Sequence, residues 1–407
     1  MQELELEVCL LRQEAIHQPR QMYRSTVTAA DVPGIITEVY NLNVKVVQEL
    51  TSYDDHNFYV QDVSVVSDNT THGYVLKILN SLDSQNPDII ELQTQIMLHM
   101  KNVGYPTPGV IPCKDGQLLK LMSLPARKNQ NGTESTSNFI VRLFTFLPGL
   151  PLDHVKLTLN ICFQIGWFAG RMDIVLKDFC LVDKPQVGKM KRKWNMSEIP
   201  NLRSKVHSVT SSEMKSVVIE VIEQFETQIL TCQHMFSKGL IHGDFNECNI
   251  IVSENSHFPI EEQYSSPANS FTSMATKCQD EGKGYNISGI IDFGDTTYSL
   301  YIFEIAIAMT YVMLNQHNLS PTAAAGHVLA GYLSHITVSQ IELQHLRLCI
   351  CARLVQSIVM GYFTFSEDPS NRYILTHASR AWPLLNTLWQ MSDSTLLQLL
   401  NVPNHLS

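Results

Sequence analysis

Two short strings carry residue types that could do chemistry together. His242-Gly243-Asp244-Phe245-Asn246-Glu247-Cys248-Asn249 places a carboxylate and, five residues on, a side-chain amide in one loop. Asp292-Phe293-Gly294-Asp295 supplies a second carboxylate. Ile250-Ile251-Val252 leave the first string and Gly289-Ile290-Ile291 lead into the second, so each stands beside a short apolar strand. Phosphoryl transfer needs this set. One carboxylate, Asp244, must accept or orient the proton of an attacking hydroxyl. An oxygen ligand, Asn249, and a second carboxylate, Asp292, must hold magnesium against nucleotide phosphates. Either string alone is a weak signal; both in this order are a strong one.

A cation for the phosphates comes from further upstream. Lys77 lies on the apolar strand Tyr74-Val75-Leu76-Lys77-Ile78, where an inward ammonium needs an anion to meet it. Glu91, fourteen residues later on the following helix, is expected to pair with it and fix its direction. The phosphate-covering loop is expected from Thr51 to Asn57, with no glycine in it. Ser52 and Asn57 can donate there, whereas Asp54 and Asp55 would repel phosphate unless they face away or cap the turn. Thr145, Phe146 and Leu147 are expected to offer backbone groups to the purine, and these residues do not separate adenine from guanine.

The elements that must position these groups follow from periodicity. Residues 1–28 read as a poorly ordered leader. A nucleotide-binding lobe is expected over 29–147: a short helix from Ala29 to Tyr40, strands near 44–50, 57–60, 74–78, 118–121 and 139–146, and a helix over 87–103 whose apolar residues recur near every 3.6 positions. Pro148-Gly149-Leu150-Pro151 ends that pattern. The rest, 148–407, reads as mostly helical, with helices over 158–175, 211–237, 299–315, 321–334, 339–362 and near 379–400. A mobile insertion over 253–285 is expected in the hairpin joining the two catalytic strings. The fold class is α+β: a small antiparallel sheet with one helix, then a larger mostly helical lobe.

Composition narrows the classes. A chain of 407 residues with 44% hydrophobic content can bury a large core. Its net charge of -10 argues against a nucleic-acid partner and suits a small cationic substrate. The run Lys189 to Lys193 reads as solvated surface. Nine cysteines without a Cys-x-x-Cys pair point to reduced thiols rather than a disulfide framework or zinc site. The acidic N-terminus is unlike a signal peptide, and no stretch reads as a membrane span, so a cytoplasmic protein without a membrane partner is expected.

The catalytic strings resemble those of the protein-kinase-like superfamily, in its small-molecule branch with aminoglycoside phosphotransferases, choline kinases and homoserine kinases. Ser52 to Phe58, Tyr74 to Ile78, Asn86-Pro87-Asp88, Val141-Arg142-Leu143, Leu147-Pro148-Gly149, His242-Gly243-Asp244, Ile290 to Asp295 and Gly326 to Gly331 together resemble the hydroxylysine kinase family over roughly residues 30 to 400. The resemblance implies a bilobal fold and a cytoplasmic enzyme. It would phosphorylate the side-chain hydroxyl of 5-hydroxylysine, with Mg2+ and with GTP (or ATP) as donor. An acceptor of that kind carries two ammonium groups and one carboxylate. Asp295 and Glu304 are its expected acidic partners and Arg353 its basic one, unless Glu304 and Arg353 form an internal ion pair. The chain after Asp295 lacks the Ala-Pro-Glu of a peptide-holding activation segment, which favours a small acceptor. Two other readings stay open: a kinase for another small amino alcohol (choline, ethanolamine, homoserine or aminoglycoside type), or a non-catalytic, pseudokinase-like binding module.

Overall fold

The computed structural model describes residues 23–402 apart from 51, 53, 63–72, 128–134, 180–186, 188–189, 191–193, 255–283, 316–318 and 368–372. The chain divides into two compact units, Met1–Pro148 and Gly149–Ser407.

In the first unit, strands β1 (Val44–Leu50), β2 (His56–Asp62), β3 (Tyr74–Ile78), β4 (Val110–Ile111), β5 (Lys120–Ala126) and β6 (Ser135–Thr145) form one sheet. Its order is β1-β2-β3-β6-β4 with β5 also on β6, and every pairing is antiparallel. Side chains alternate between faces along a strand, so register decides which residues meet. Phe58, Val60, Leu76, Ile78, Val141 and Leu143 turn to one face. They cluster with Val32, Ile35, Ile36 and Val39 of helix α1 (Val32–Tyr40). The opposite face carries the cross-strand row Asn57, Lys77, Arg142. Helix α2 (Pro87–Asn102) starts on a proline that pre-sets its first turn; it buries Ile90, Gln93, Thr94 and Met97. Arg142 Nη1 donates to Thr94 Oγ1 (3.2 Å), which places α2 beside the polar row. Of the expected leader, 1–22 lies outside the described residues. Ser25, by contrast, is buried and bridges to Ala126, and Arg24 pairs with Glu49 at 2.8 Å.

The second unit is mostly helical: α3 (Leu159–Lys177), α4 (Ser212–Phe225), α5 (Tyr301–Leu314), α6 (Pro321–Leu333), α7 (Gln340–Glu367), α8 (Tyr373–Trp389) and α9 (Asp393–Leu399). Thr158, Ser211 and Ser392 accept from backbone N–H groups at the starts of α3, α4 and α9, satisfying donors a helix leaves open. Helices α3 and α6 cross in near backbone contact. A Cβ on Gly166 would lie 1.7 Å from Val328 O, and one on Gly331 2.0 Å from Phe163 O. Helix α7 departs from the expectation on membrane spans. Gln340–Ser366 is apolar and long enough to cross a bilayer, yet 78% of its apolar window is buried inside the protein, as in a core helix.

Short strands hold the loops between these helices. β9 (Ile250–Ser253) pairs antiparallel with β10 (Asn286–Ile290) and with β7 (Leu150–Pro151). β8 (Lys238–Ile241) pairs with β11 (Thr297–Leu300). The chain therefore passes through β11 before entering α5, where the pattern suggested a helix from 299. The expected helix near 379–400 is two, broken at Ser392. The expected insertion and the Lys189–Lys193 run fall almost wholly outside the described residues.

Candidate active site

The His242–Asn249 string is held from three sides in the second unit. Gly243 has φ 80°, a conformation a side chain would strain, and a Cβ there would meet Asp295 O at 2.7 Å. That turn lets the loop pass close to the 292–295 string. His242 is fully buried and ties the same two strings together. Its Nε2–H donates to Ile291 O (3.0 Å), and Asp244 N–H donates to its Nδ1 (3.3 Å). Acceptance at Nδ1 requires the neutral ring, and burial holds its pKa below the usual histidine value. Ile291 N–H donates to Asn249 O (2.9 Å), setting Asn249 and Asp292 at the same end of the β9–β10 hairpin.

Asp244 is held through both oxygens. Oδ1 accepts from Arg353 Nη2 (3.0 Å) and Oδ2 from Asn249 Nδ2 (3.0 Å). Asn249 Nδ2 also donates to Asp244 O (3.0 Å). With its NH2 group spent on Asp244, Asn249 presents Oδ1 as a ligand oxygen. Asp292 is exposed, sits at φ 61° and accepts from Gly294 N–H through Oδ1 (3.1 Å). A non-glycine residue in the left-handed region is uncommon, and such strain gathers at functional positions. One amide oxygen and one carboxylate are a hard, all-oxygen donor set that fits magnesium, which keeps waters and phosphate oxygens for its other positions. Among the described residues no group of three His, Cys, Asp or Glu side chains is placed to hold a metal.

Two expected acceptor residues have other work. Arg353 is 1% exposed and spends Nη1 on Trp194 O (3.0 Å) and Gln356 Oε1 (2.9 Å), and Nη2 on Asp244 and Tyr311 OH (3.0 Å). The rings of Trp194 and Tyr311 each lie 5.3 Å from its guanidinium carbon. With four N–H donors committed, it cannot grip an acceptor carboxylate in the usual two-pronged way. Its ion-pair partner is Asp244, not Glu304. Glu304 is fully buried on α5 and accepts from Gly243 N–H through Oε2 (2.9 Å), so it holds the loop from beneath. Burial pushes its carboxyl up to about 7 against the pull of that bond, and the nearby charge of Asp244 adds to the rise. Asp295, half-buried, closes the 3-10 turn from Phe293 whose backbone packs on Gly243.

In the first unit, Lys77 is 9% exposed and pairs with Asp55 Oδ2 at 3.0 Å. The expected partner Glu91 points away. α2 turns Ile90, Gln93 and Thr94 inward, and Glu91 is exposed, within 3.4 Å of Gln95 Nε2. Asp55 also accepts from Asn80 N–H (3.0 Å), so this loop acidic residue caps a turn and braces the lysine. Ser52 donates its hydroxyl to Asp55 O rather than keeping it for a phosphate. Asn57 Oδ1 is buried without a hydrogen-bond partner, on the row with Lys77. At the expected purine positions, Thr145 N–H donates to Gly109 O (2.8 Å) and Phe146 N–H to Gly73 O (3.0 Å). Among the described residues, Leu147 is then the one of the three whose N–H is uncommitted.

Sequence reasoning offered Asp55 a turn-capping role but not the pairing with Lys77, and it missed the roles of His242, Tyr311, Trp194 and Gln356. A signal existed for some. Arg353 and Gln356 stand three apart on an apolar helix, and buried polar pairs at that spacing face each other.

The phosphotransferase enzyme family profile matches residues 47–259, just over half of the chain. The hydroxylysine kinase of Xenopus laevis is 33% identical over 364 residues, 89% of this chain and 90% of the relative. Among solved structures, a microcompartment-associated aminopropanol kinase superposes with a TM-score of 0.60 at 15% identity, covering 90% of this chain and 99% of its own. The amicoumacin kinase hAmiN, solved in complex with AMP-PNP, Ca2+ and Ami, gives 0.59 at 15%, covering 91% and 97%. These likenesses carry the protein-kinase-like α+β fold, and the sequence relatives carry the rest: the chain belongs to the phosphotransferase enzyme family, in its hydroxylysine kinase branch of small-molecule kinases.

Proposed function

We propose that the protein transfers the γ-phosphoryl group of GTP (or ATP) to the side-chain hydroxyl of 5-hydroxy-L-lysine, giving 5-phosphohydroxylysine. The observation that carries this reading is the clamped Asp244, held by Arg353 on one oxygen and by Asn249 on the other. Each oxygen keeps a lone pair, so the carboxylate can still take the proton of an acceptor hydroxyl while its direction is fixed. Asn249 Oδ1 and Asp292 would hold magnesium, which supplies charge neutralisation on the donor phosphates when bound. Lys77, set by Asp55, would meet the phosphates, and Leu147 N–H would meet the purine. Hydroxylysine as acceptor rests on the relatives' names, as does preference for GTP over ATP on the family resemblance. Asp295 remains the acidic residue offered for an acceptor ammonium. Work in the cytoplasm belongs to the same reading, and the buried free thiols Cys113, Cys349 and Cys351 suit a reducing compartment.

The test is an acceptor and donor panel. Phosphate transfer is measured at equal GTP and ATP with magnesium, using hydroxylysine, choline, ethanolamine, homoserine and an aminoglycoside. The reading expects hydroxylysine to lead, with GTP the faster donor. Asp244→Asn keeps the shape but removes the proton acceptor, so turnover should fall by roughly two to four orders of magnitude with nucleotide affinity nearly unchanged. Faster transfer to another amino alcohol would reassign the acceptor. Nucleotide binding with no transfer to any acceptor would favour the pseudokinase reading.

A further inference from the structure

The turn between β3 and α2 is built around one buried amide. Asn80 stands three residues beyond Lys77, just past the end of β3, and is 2% exposed. Its backbone N–H and its Nδ2 both donate to Asp55 Oδ1, at 3.0 and 3.2 Å. Nδ2 also donates to Asp83 Oδ2 (2.8 Å), and Oδ1 accepts from Asp83 N–H (3.0 Å). Both side-chain N–H donors and the carbonyl oxygen are therefore in use. The turn is in turn fastened to the sheet. Ser84 Oγ donates to Asn80 O (2.8 Å) and accepts from Ile140 N–H of β6 (2.9 Å), while Leu79 N–H donates to Ile140 O (2.9 Å). Leu79, Ile90 and Ile140 pack together as a small apolar cluster, which ties the turn to α2 and β6 at once.

We infer that Asn80 is a positioning residue for binding of the donor phosphates: it holds Asp55 by one oxygen so that the other oxygen directs Lys77. This rests on the reading of Lys77 as the phosphate cation. Asp55 Oδ1 takes the two Asn80 donors, and Oδ2 lies 3.0 Å from Lys77 Nζ. A carboxylate held by two N–H groups on one oxygen keeps its second oxygen aimed in one direction. Ser52 Oγ donates to Asp55 O and secures the backbone of the same residue. The amide suits the place chemically. Asp55 and Asp83 share its NH2 group, so a neutral donor stands between two carboxylates that would otherwise face each other. An aspartate there would add a third acidic group, and an alanine would leave Asp55 with the backbone donor alone. Glu91 of α2 is exposed beside Gln95, so the turn before that helix, and not its glutamate, sets the direction of Lys77.

The test measures nucleotide affinity by calorimetry with magnesium, and both KM values, for Asn80→Ala and Asn80→Ser, each alone and in an Asp55→Asn background. Serine keeps an acceptor for Asp83 N–H but brings no amide to Asp55, so it separates folding of the turn from the grip on the carboxylate. Both variants should weaken nucleotide binding roughly threefold to tenfold, since one of the two Asn80 donors to Asp55 remains, with the acceptor KM unmoved. In the Asp55→Asn background the same changes should weaken it less than about twofold, because the carboxylate through which they act is gone. An undiminished loss in that background, equal shifts in the nucleotide and acceptor KM, or no loss at all overturns the inference. If Asn80→Ala does not fold, Asn80→Ser carries the comparison. Lys77→Ala judges the underlying reading. Unchanged nucleotide affinity in that variant would sink the role of Lys77 and the inference with it, whereas a loss there beside unaffected Asn80 variants would sink the inference alone.

Discussion

Arg353 Nη2 lies 3.0 Å from Asp244 Oδ1, so a guanidinium 109 residues away in sequence fixes the orientation of the carboxylate proposed as the base. The arginine is buried between two aromatic rings and bonded to a backbone carbonyl and to two further side chains, which makes it a rigid mount rather than a swinging arm. Lysine could not reproduce four bonds in one plane. Arg353→Lys is expected to lower kcat at least roughly tenfold through lost orientation of Asp244, with the acceptor KM changed less than kcat. Arg353→Ala would also strand Asp244, and urea denaturation should show a loss on the order of 3–5 kcal/mol. A rise confined to the acceptor KM would return Arg353 to the substrate pocket.

Glu304→Gln should leave both KM values nearly unmoved, because the side chain meets Gly243 N–H and not the acceptor. Its signature is in stability. The folded carboxyl titrates at about 7 and the unfolded one near 4.5, so between those pH values the folded protein binds the extra proton. Stability from this group is present below 4.5 and is lost as pH rises through 7. Wild type should therefore lose stability relative to Glu304→Gln across that window. Parallel pH–stability curves for the two proteins would contradict the assignment.

Asp292→Ala should abolish the magnesium-dependent tightening of nucleotide binding while leaving metal-free binding in place, since it removes the charged oxygen ligand. Isothermal titration with and without a chelator measures this. Because Asp292 sits in the left-handed region, Asp292→Gly relieves strain there and separates ligand loss from backbone effects.

Glu91→Gln is expected to leave the nucleotide KM within about twofold of wild type, as for other exposed charges. Asp55→Asn should raise it roughly tenfold, because a part-buried lysine loses the carboxylate that directs it. The opposite ranking would reinstate Glu91 as the brace of Lys77.

Strand, helix and chemistry were legible where the signal is local. The 2-residue alternation of β2, β3 and β6, the apolar period of α2, and the strings around Asp244 and Asp292 can be read within a dozen residues. So can the class of reaction, because carboxylate, amide and carboxylate must lie on loops beside strands to hold a metal and a base. Partners across long separations were not legible. Whether Lys77 meets Asp55 or Glu91 depends on which side of α2 faces the sheet, and the helix period leaves that phase open by one residue. Whether Arg353 serves a substrate or Asp244, and whether Glu304 faces a pocket or the underside of Gly243, depends on how α5 and α7 pack beneath the loop. A buried charge must find an opposite charge or a donor, and sequence says only that it will. Tertiary packing chooses which one, because the cost of leaving it unpaired is paid at a single place in space.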